Sequence, residues 1–361
     1  MKFYPGKSPR FFILATLSLS VLAGGCNIVK KESKTATLLA TKNATQAELV
    51  NEINRFARVD SMRAKMDLKF EDNSFAEFGT KEVYREAEGE IVVQRPGKIL
   101  LKVKVPVIKT DVAQMTSDGQ GFRVAILQDG GSGKYKKFVK GSNKADYSPL
   151  QKKLSVEAGG NANGGKGAKE NVNAFANMRP QHFTDAIIVR PVTDVNVYTQ
   201  STIYQVEEDL TVASKSPTRN VTRGYYLLDE FEKAPQGGLR ITRRFWFDRV
   251  GIVRLARQQI FDVQGEIESD IVYGKEGNLT ETGDFLNLPL QIQVTRPKER
   301  YSMRLTYSDP GAVTIGTKFQ DSAFVLQNSW NLEEVDLDQK LREAIIDPSS
   351  QLPRRALSQK R

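Results

Sequence analysis

The chain has 361 residues, of which 39% are hydrophobic, and its net charge is +10 at pH 7. This length suits one large or two small domains. Basic and acidic residues are interspersed along most of the chain, without an RNA-binding signature, basic helix or zinc-finger spacing, so nucleic acid is not an expected partner. A single cysteine, Cys26, and a single histidine, His182, argue against disulfides, multi-histidine zinc sites and most conventional proton shuttles.

The N-terminal segment has the pattern of a secretory signal. Lys2, Lys7 and Arg10 precede an apolar run over 11–23, and small residues lead from this run to Cys26. The run is shorter than the roughly 20 residues that span a bilayer. Small residues directly before a cysteine are similar to the bacterial lipobox, which implies cleavage after residue 25 and diacylation of the Cys26 thiol. An ordinary signal peptide with an incidental cysteine is the alternative.

The next elements are a tether and a helix. Residues 26–43 are polar and weakly patterned, which predicts a flexible tether ahead of a domain over 44–330. Thr45 and Glu48 form a capping-box pattern, and apolar residues recur at helical spacing from Leu49 to Ala57. We therefore predict a helix that starts near Thr45.

A period of two then indicates strands. Apolar and charged residues alternate from Met62 to Glu71 and again over 99–105, and Asp118-Gly119 marks a hairpin before 122–127. In the second half, turn signals separate six predicted strands, at 225–231, 239–248, 253–262, 266–273, 288–295 and 301–308.

Two segments are predicted to lack a packed face. Residues 129–170 are rich in lysine and glycine and are expected to form a disordered insertion, with at most a short helix near 148–154. The tail at 331–361 is expected to be mostly disordered.

A second helix is predicted over 171–188, with Pro180 breaking or restarting it.

These elements predict a mainly β, α+β fold. A large curved antiparallel sheet of about a dozen strands would form an unclosed barrel, and two or three helices would cover its concave face. Met62, Met66, Met115 and Met178 fall on the predicted apolar faces. Methionine adapts to irregular space, so these side chains suit either a variable ligand or plain core packing.

Five short motifs carry a family resemblance over 46–326, apart from the insertion. They are RPGKI at 95–99, SDGQGF at 117–122, RFWFDR at 244–249, FDVQGE at 261–266 and NLP at 287–289. In this order and spacing they resemble the LolA/LolB-like family of outer-membrane lipoprotein carriers and receptors. The resemblance implies a helical cover over an apolar cavity that holds acyl chains of lipids or lipoproteins, without an enzymatic activity, catalytic residue, metal or cofactor.

The function expected from the resemblance is that of a membrane-anchored lipoprotein for lipoprotein sorting or lipid transfer. Its partners would be the membrane, a lipid or acylated-protein ligand, and envelope proteins. Asn27 after the lipidated position suggests the outer membrane, facing the periplasm, by analogy with enterobacterial sorting. The residues predicted to line the cavity are Met62, Met66, Leu68, Phe70, Ile99, Leu101, Val103, Met115, Phe122 and Met178.

A cluster of arginines and aromatics in the second half has two interpretations. Arg243, Arg244, Trp246 and Arg249 either form a basic, aromatic rim for headgroups or a partner, or reflect alternating strand faces with arginines in water. Two other function classes stay open, namely a non-enzymatic envelope scaffold with a fully packed sheet, and an envelope hydrolase, for which no nucleophile elbow or metal spacing is visible.

Overall fold

The computed structural model describes residues 35–72, 82–83, 87–104, 110–128, 133, 136–147, 150, 180–216, 218–277, 279 and 286–346. The predicted signal segment, Cys26, Met178, the predicted short helix apart from residue 150, and most of the insertion lie outside these residues. The chain divides into a small unit, which includes 35–38 and 206–222, and a large unit that holds the other described residues.

Strands dominate the described part of the chain, which contains three α-helices and two short 3-10 helices. The helices are α1 (Gln46–Ala57), α2 (Gln181–Ile187) and α3 (Leu337–Ile346), and the 3-10 helices are Pro310–Ala312 and Asp321–Phe324. The strands are β1 (Thr37–Leu38), β2 (Ser61–Asp72), β3 (Glu82–Val83), β4 (Ala87–Gln94), β5 (Lys98–Lys104), β6 (Asp111–Ser117), β7 (Gly121–Ile126), β8 (Lys137–Ser142), β9 (Val197–Glu208), β10 (Asn220–Lys233), β11 (Leu239–Asp248), β12 (Arg254–Phe261), β13 (Ile267–Gly277), β14 (Leu288–Arg296), β15 (Tyr301–Tyr307), β16 (Thr314–Ile315) and β17 (Glu333–Asp336).

The strands form one sheet in the order β9-β10-β11-β12-β13-β14-β15-β2-β4-β5-β6-β7-β8-β17. The short strands β1, β3 and β16 pair at the ends of β10 and β2. Pairing is parallel for β1 with β10 and for β8 with β17, and antiparallel at the other pairs whose register is defined. Among the described strands, β9 and β17 end the order without pairing to each other, so the sheet is not closed. The expected mainly β fold with an unclosed curved sheet and few helices is confirmed.

Helix boundaries follow local chemistry. Thr45 caps α1, since its hydroxyl accepts from the Glu48 backbone N–H and the Glu48 carboxylate accepts from the Thr45 N–H in return. This confirms the predicted capping box. Helix α2 spans Gln181–Ile187 with Pro180 at its N-cap, a position where the missing N–H of proline is tolerated. Residues 171–179 of the predicted helix over 171–188 lie outside the described residues.

Order extends into segments for which disorder was predicted. The prediction for 129–170 was wrong at Lys137–Ser142, because β8 pairs with β7 and β17 and buries Phe138 and Val139 between its lysines. Gly141 fits there because a Cβ would lie 2.5 Å from the Tyr147 hydroxyl oxygen. The tail prediction was wrong at 333–346, where β17 and α3 form.

The predicted tether is also shorter than expected. Thr37 and Leu38 pair with β10, and Thr41 forms an isolated bridge with Val250. Backbone pairing therefore fixes 37–41, and the tether prediction was wrong there.

Candidate functional site

A continuous apolar face runs across β2 and β4 to β7. Directly paired residues point to the same side of a sheet, and Leu101 pairs with Ile91 on one side and Met115 on the other. The same register joins the predicted cavity residues into one surface: Met62, Met66, Leu68, Phe70, Ile99, Leu101, Val103, Met115 and Phe122. Phe70 is half-buried and the others are buried. Sequence alternation thus located this face, and Met178 stays untested.

Two helices pack on the sheet, and one of them, α2, covers this face. Helix α2 packs on β4 and β5 and also on β14, which is four strands away from β5 in the sheet order. Four strand spacings measure ~19 Å in a flat sheet, whereas a seven-residue helix is ~10 Å long. The sheet therefore curves around α2, and this is its concave side. Helix α1 packs on β12, and Phe56 contacts Tyr273 of β13 with 5.7 Å between ring centroids.

The cover is closely packed in this structure. Ile53 of α1 and Phe183 and Ala186 of α2 have no measurable exposure, and Leu101 of β5, a strand on which α2 packs, is 1% exposed. Two polar contacts fix α2 on the sheet: Tyr273 donates to the Ala186 carbonyl at 3.1 Å, and a 2.8 Å hydrogen bond joins His182 Nδ1 to the Tyr301 hydroxyl. Burial raises the pKa of Tyr273, which keeps its hydroxyl a donor. His182 therefore holds the helix in place.

One arginine connects both helices to the sheet. Arg95, in the turn between β4 and β5, donates through Nη2 to the carbonyls of Ala57 and Val189, both at 2.8 Å. Ala57 is the last residue of α1, and Val189 follows α2 by two residues. Asp60 Oδ1 lies 3.5 Å from Arg95 Nε. This one side chain therefore contacts the C-terminal ends of both helices.

A second arginine holds the chain that follows α2. Residues 188–191 form a connector, and Arg243 of β11 donates to the carbonyls of Arg190 at 2.7 Å and Pro191 at 3.1 Å. Arg243 also forms a bidentate pair with Glu230 of β10, and both side chains are 4% exposed.

The Glu230 carboxylate is fully partnered. Besides the two bonds from Arg243, it accepts from the hydroxyls of Tyr198 and Thr242, each at 2.8 Å. Burial alone would raise the pKa of Glu230, but the hydrogen bonds and charge of Arg243 outweigh it, and the pKa lies below its usual value near 4.5. Glu230 is therefore charged at neutral pH, and it fixes Arg243 toward the connector.

The predicted basic, aromatic rim does not form one exposed surface. Trp246 is 8% exposed, donates to Gln259 and lies under Arg257 on the outer face. Arg244, on the same face, pairs with Asp229. Arg243 faces the opposite, concave side, so both interpretations of this residue were wrong.

Arg249 is also buried rather than solvent-exposed. Its guanidinium lies 4.3 Å from the Tyr226 ring centroid, donates to the Lys42 carbonyl at 2.9 Å and to the Asn43 side chain at 2.8 Å. Arg249 therefore holds the last two residues of the predicted tether, Lys42 and Asn43, and it does not belong to an exposed rim.

Sequence reasoning missed the roles of Arg95 and Arg243. Arg95 is the first residue of the RPGKI motif, but an arginine in a turn is usually solvated. No sequence pattern indicates that its partners are carbonyls at the ends of two helices. The alternation of β11 put Arg243 beside Phe245 on the apolar side, and this was the available signal for a buried charge.

Comparison with known proteins finds distant structural similarity only. No family model matches the sequence, and no curated protein matches it. Similar solved structures include a LolA superfamily protein from Nitrosomonas europaea, with 11% identity, a TM-score of 0.38, and coverage of 78% of this chain and 99% of that one. A putative outer membrane lipoprotein-sorting protein domain from Vibrio parahaemolyticus has 13% identity, a TM-score of 0.36, and coverage of 77% and 97%. A DUF1329 family protein from Desulfovibrio piger has 10% identity, a TM-score of 0.40, and coverage of 77% and 95%.

These structures include members of the family that the sequence motifs resemble. Within the described ranges, no helix has both the length and the apolar character needed to cross a membrane.

Proposed function

We propose that this protein is an envelope lipoprotein that binds acyl chains of lipids or lipidated proteins between its curved sheet and the helices α1 and α2. It acts as a binding protein rather than an enzyme, in lipoprotein sorting or lipid transfer. The observation that carries the proposal is Arg95, because a single guanidinium joins the C-terminal ends of both helices to the turn between β4 and β5, two strands of the apolar face.

The buried positions of the helix side chains indicate how an acyl chain would enter. Ile53 of α1 and Phe183 of α2 are fully buried. An acyl chain would therefore enter between the helices and the sheet after the helices move outward. Their apolar side chains would then contact the acyl chain, which would lie between them and β2, β4 and β5.

Burial of an acyl chain can offset the loss of the Arg95 hydrogen bonds. Each methylene removed from water contributes ~0.8 kcal/mol, and each intramolecular hydrogen bond a net ~0.5–1.5 kcal/mol. Burial of about four methylene groups therefore offsets the loss of both carbonyl bonds of Arg95. A fatty acyl chain of ordinary length contains several times this number of methylene groups. Its burial can therefore offset the free-energy cost of breaking both hydrogen bonds, and no cofactor is needed.

Acyl-probe uptake tests the proposal. The full chain with Cys26→Ser, purified without detergent, would be titrated with a fluorescent fatty-acyl probe, and native mass spectrometry would give the stoichiometry. We expect saturable binding of one probe per chain. Arg95→Leu should open the cover more readily and raise the apparent affinity by about tenfold, because the ligand no longer works against the closing contacts.

The matched control is Arg63→Leu. Arg63 lies on the solvent-exposed side of β2 and pairs with Glu90, so its loss should leave uptake unchanged. Absence of uptake by both the Cys26→Ser chain and its Arg95→Leu variant would contradict the proposal.

Anchoring is a separate part of the proposal. We infer that Cys26 is diacylated and holds the protein in the outer membrane, facing the periplasm, with Asn27 as the sorting signal. Metabolic labelling with an alkyne palmitate analogue should mark the wild type and not Cys26→Ser, and only the wild type should sediment with outer membranes. Equal labelling of both would refute lipidation at Cys26.

The tight packing of the concave face also favours a second candidate, an envelope scaffold that never opens. For such a protein, acyl probes should not bind, and crosslinking in intact cells should recover stable protein partners. The uptake experiment therefore separates the two functions.

A further inference from the structure

The two ends of the sheet differ in how they are protected. β17 has four residues, three of them acidic, and Glu333 and Glu334 pair with lysines of β8. Short length and charge are the usual means by which proteins keep an edge strand from pairing with other chains. β9 at the other end has twelve residues, and positions 197–206 contain neither a charge nor a proline.

β9 is also exposed along its length. It pairs with β10, and no other described strand pairs with it. Tyr204 is 54% exposed and Val206 68% exposed, and no residue of β9 is buried. A long, uncharged and exposed edge is a template for an added strand.

Hydrogen bonds to neighbouring elements hold β9 in its extended form. The Tyr198 hydroxyl donates to Glu230, the Tyr198 carbonyl accepts from Gln46 at 3.4 Å, and Gln200 donates to the Ala44 carbonyl at 3.3 Å. A partner strand would therefore bind without first ordering this edge, which lowers the entropic cost of binding.

We propose that β9 pairs antiparallel with β9 of a second copy of this chain, joining the two sheets across a two-fold axis. An antiparallel edge is complementary to itself, and a two-fold contact uses the same surface on both copies. The two glutamates at the end of β9 favour antiparallel pairing over parallel pairing. With the two-fold axis at Thr202, so that each Thr202 faces its own copy, Glu207 lies opposite Val197 and Glu208 opposite Asn196. Parallel pairing would instead place each glutamate against its own copy.

A neutral edge also suits a second copy better than a charged partner. Each copy carries a net charge of +10, and the uncharged stretch 197–206 lets two such chains approach without like charges in direct contact. A strand-to-strand contact is small, so we expect a reversible dimer of micromolar affinity.

Sedimentation velocity over a concentration series of the Cys26→Ser chain tests this. We expect a monomer–dimer equilibrium. Thr202→Lys places two lysines side by side at the axis and should raise the dimer dissociation constant by about tenfold or more. Thr314→Lys, at an equally exposed threonine on β16, is the matched control and should leave the equilibrium unchanged.

A charge-pair rescue guards against a folding defect. Thr202→Glu alone should also be monomeric, but an equal mixture of Thr202→Lys and Thr202→Glu should dimerise. A wild type that stays monomeric at all concentrations overturns the proposal. So does a dimer that Thr202→Lys does not weaken, or a mixture that fails to restore it. Capture of a different protein by a monomeric wild type would point to a heterologous strand partner instead and would equally refute self-pairing.

Discussion

The concave face of the sheet has two halves with different chemistry. The half formed by β2 and β4 to β7 is apolar over paired positions such as Ile91, Leu101 and Met115. The half formed by β10 to β14 is also apolar at positions such as Phe245 and Ile271, but it adds buried polar and charged residues that face the same side, namely Glu230, Arg243, Gln258 and Arg296.

We infer from this difference that the two halves have different roles. Apolar contacts are non-directional, so under the proposed function the first half would exchange helix side chains for an acyl chain at little cost. Hydrogen-bonded charges are directional and costly to separate, so the second half keeps the connector after α2 in place while the helices move. We infer that opening occurs over the first half and pivots at the second.

The largest expected effect comes from the charged half. Glu230→Ala leaves the buried Arg243 without its counter-charge and should lower the free energy of unfolding by about 3–5 kcal/mol. Replacing both residues, as Glu230→Leu with Arg243→Met, should cost much less, because no unpaired charge remains. Denaturant unfolding of the three proteins measures this. Equal losses in the single and the double variant would contradict the assignment of a buried pair.

The apolar half should lose about 2–5 kcal/mol on Leu101→Ala, because the substitution leaves a cavity in a packed layer. Val272→Ala, at an exposed position on β13, is the control and should change the unfolding free energy by less than about 0.5 kcal/mol. A loss at Leu101 no greater than at Val272 would mean that the face is not packed by the helices.

The contribution of the second half to stability should depend on pH through Glu230. The pKa of Glu230 is lower in the folded protein than in the unfolded chain, so its contribution is complete above the unfolded pKa near 4.5 and is lost as the pH falls through the folded pKa. Unfolding titrations from pH 7 downward should show this loss in the wild type and in Leu101→Ala. Glu230→Gln should remove that part of the pH dependence, and an unaltered profile would assign the acid sensitivity to other carboxylates.

The smallest expected effect concerns the cover itself. Thr45→Ala removes the side-chain acceptor at the start of α1 and should lower stability by about 1 kcal/mol. Thr199→Ala, at an exposed position of β9, serves as the control and should have little effect. Hydrogen exchange should place the change in α1, and faster exchange confined to the strands would contradict the capping role.

The same two halves show what the sequence could predict. Alternation from Met62 to Glu71 places β2 because each residue type belongs to one face, and turn signals located β11 at its observed bounds of Leu239–Asp248. β8 was missed because lysines and a glycine surround its two buried apolar residues. The functions of Arg95 and Arg243 were missed because the partners of an arginine lie far away in sequence, 38 and 94 residues for the two carbonyls of Arg95.

Photo-crosslinking tests the central claim most directly. The Cys26→Ser chain would be incubated with a fatty acid that carries a diazirine on its acyl chain, irradiated, digested and mapped by mass spectrometry. Our account predicts crosslinks in β2, β5 and α2, around Met66, Leu101 and Phe183, which unlabelled fatty acid abolishes and Arg95→Leu increases. Crosslinks confined to solvent-exposed residues, or insensitive to the competitor, would show that no acyl chain enters between the helices and the sheet.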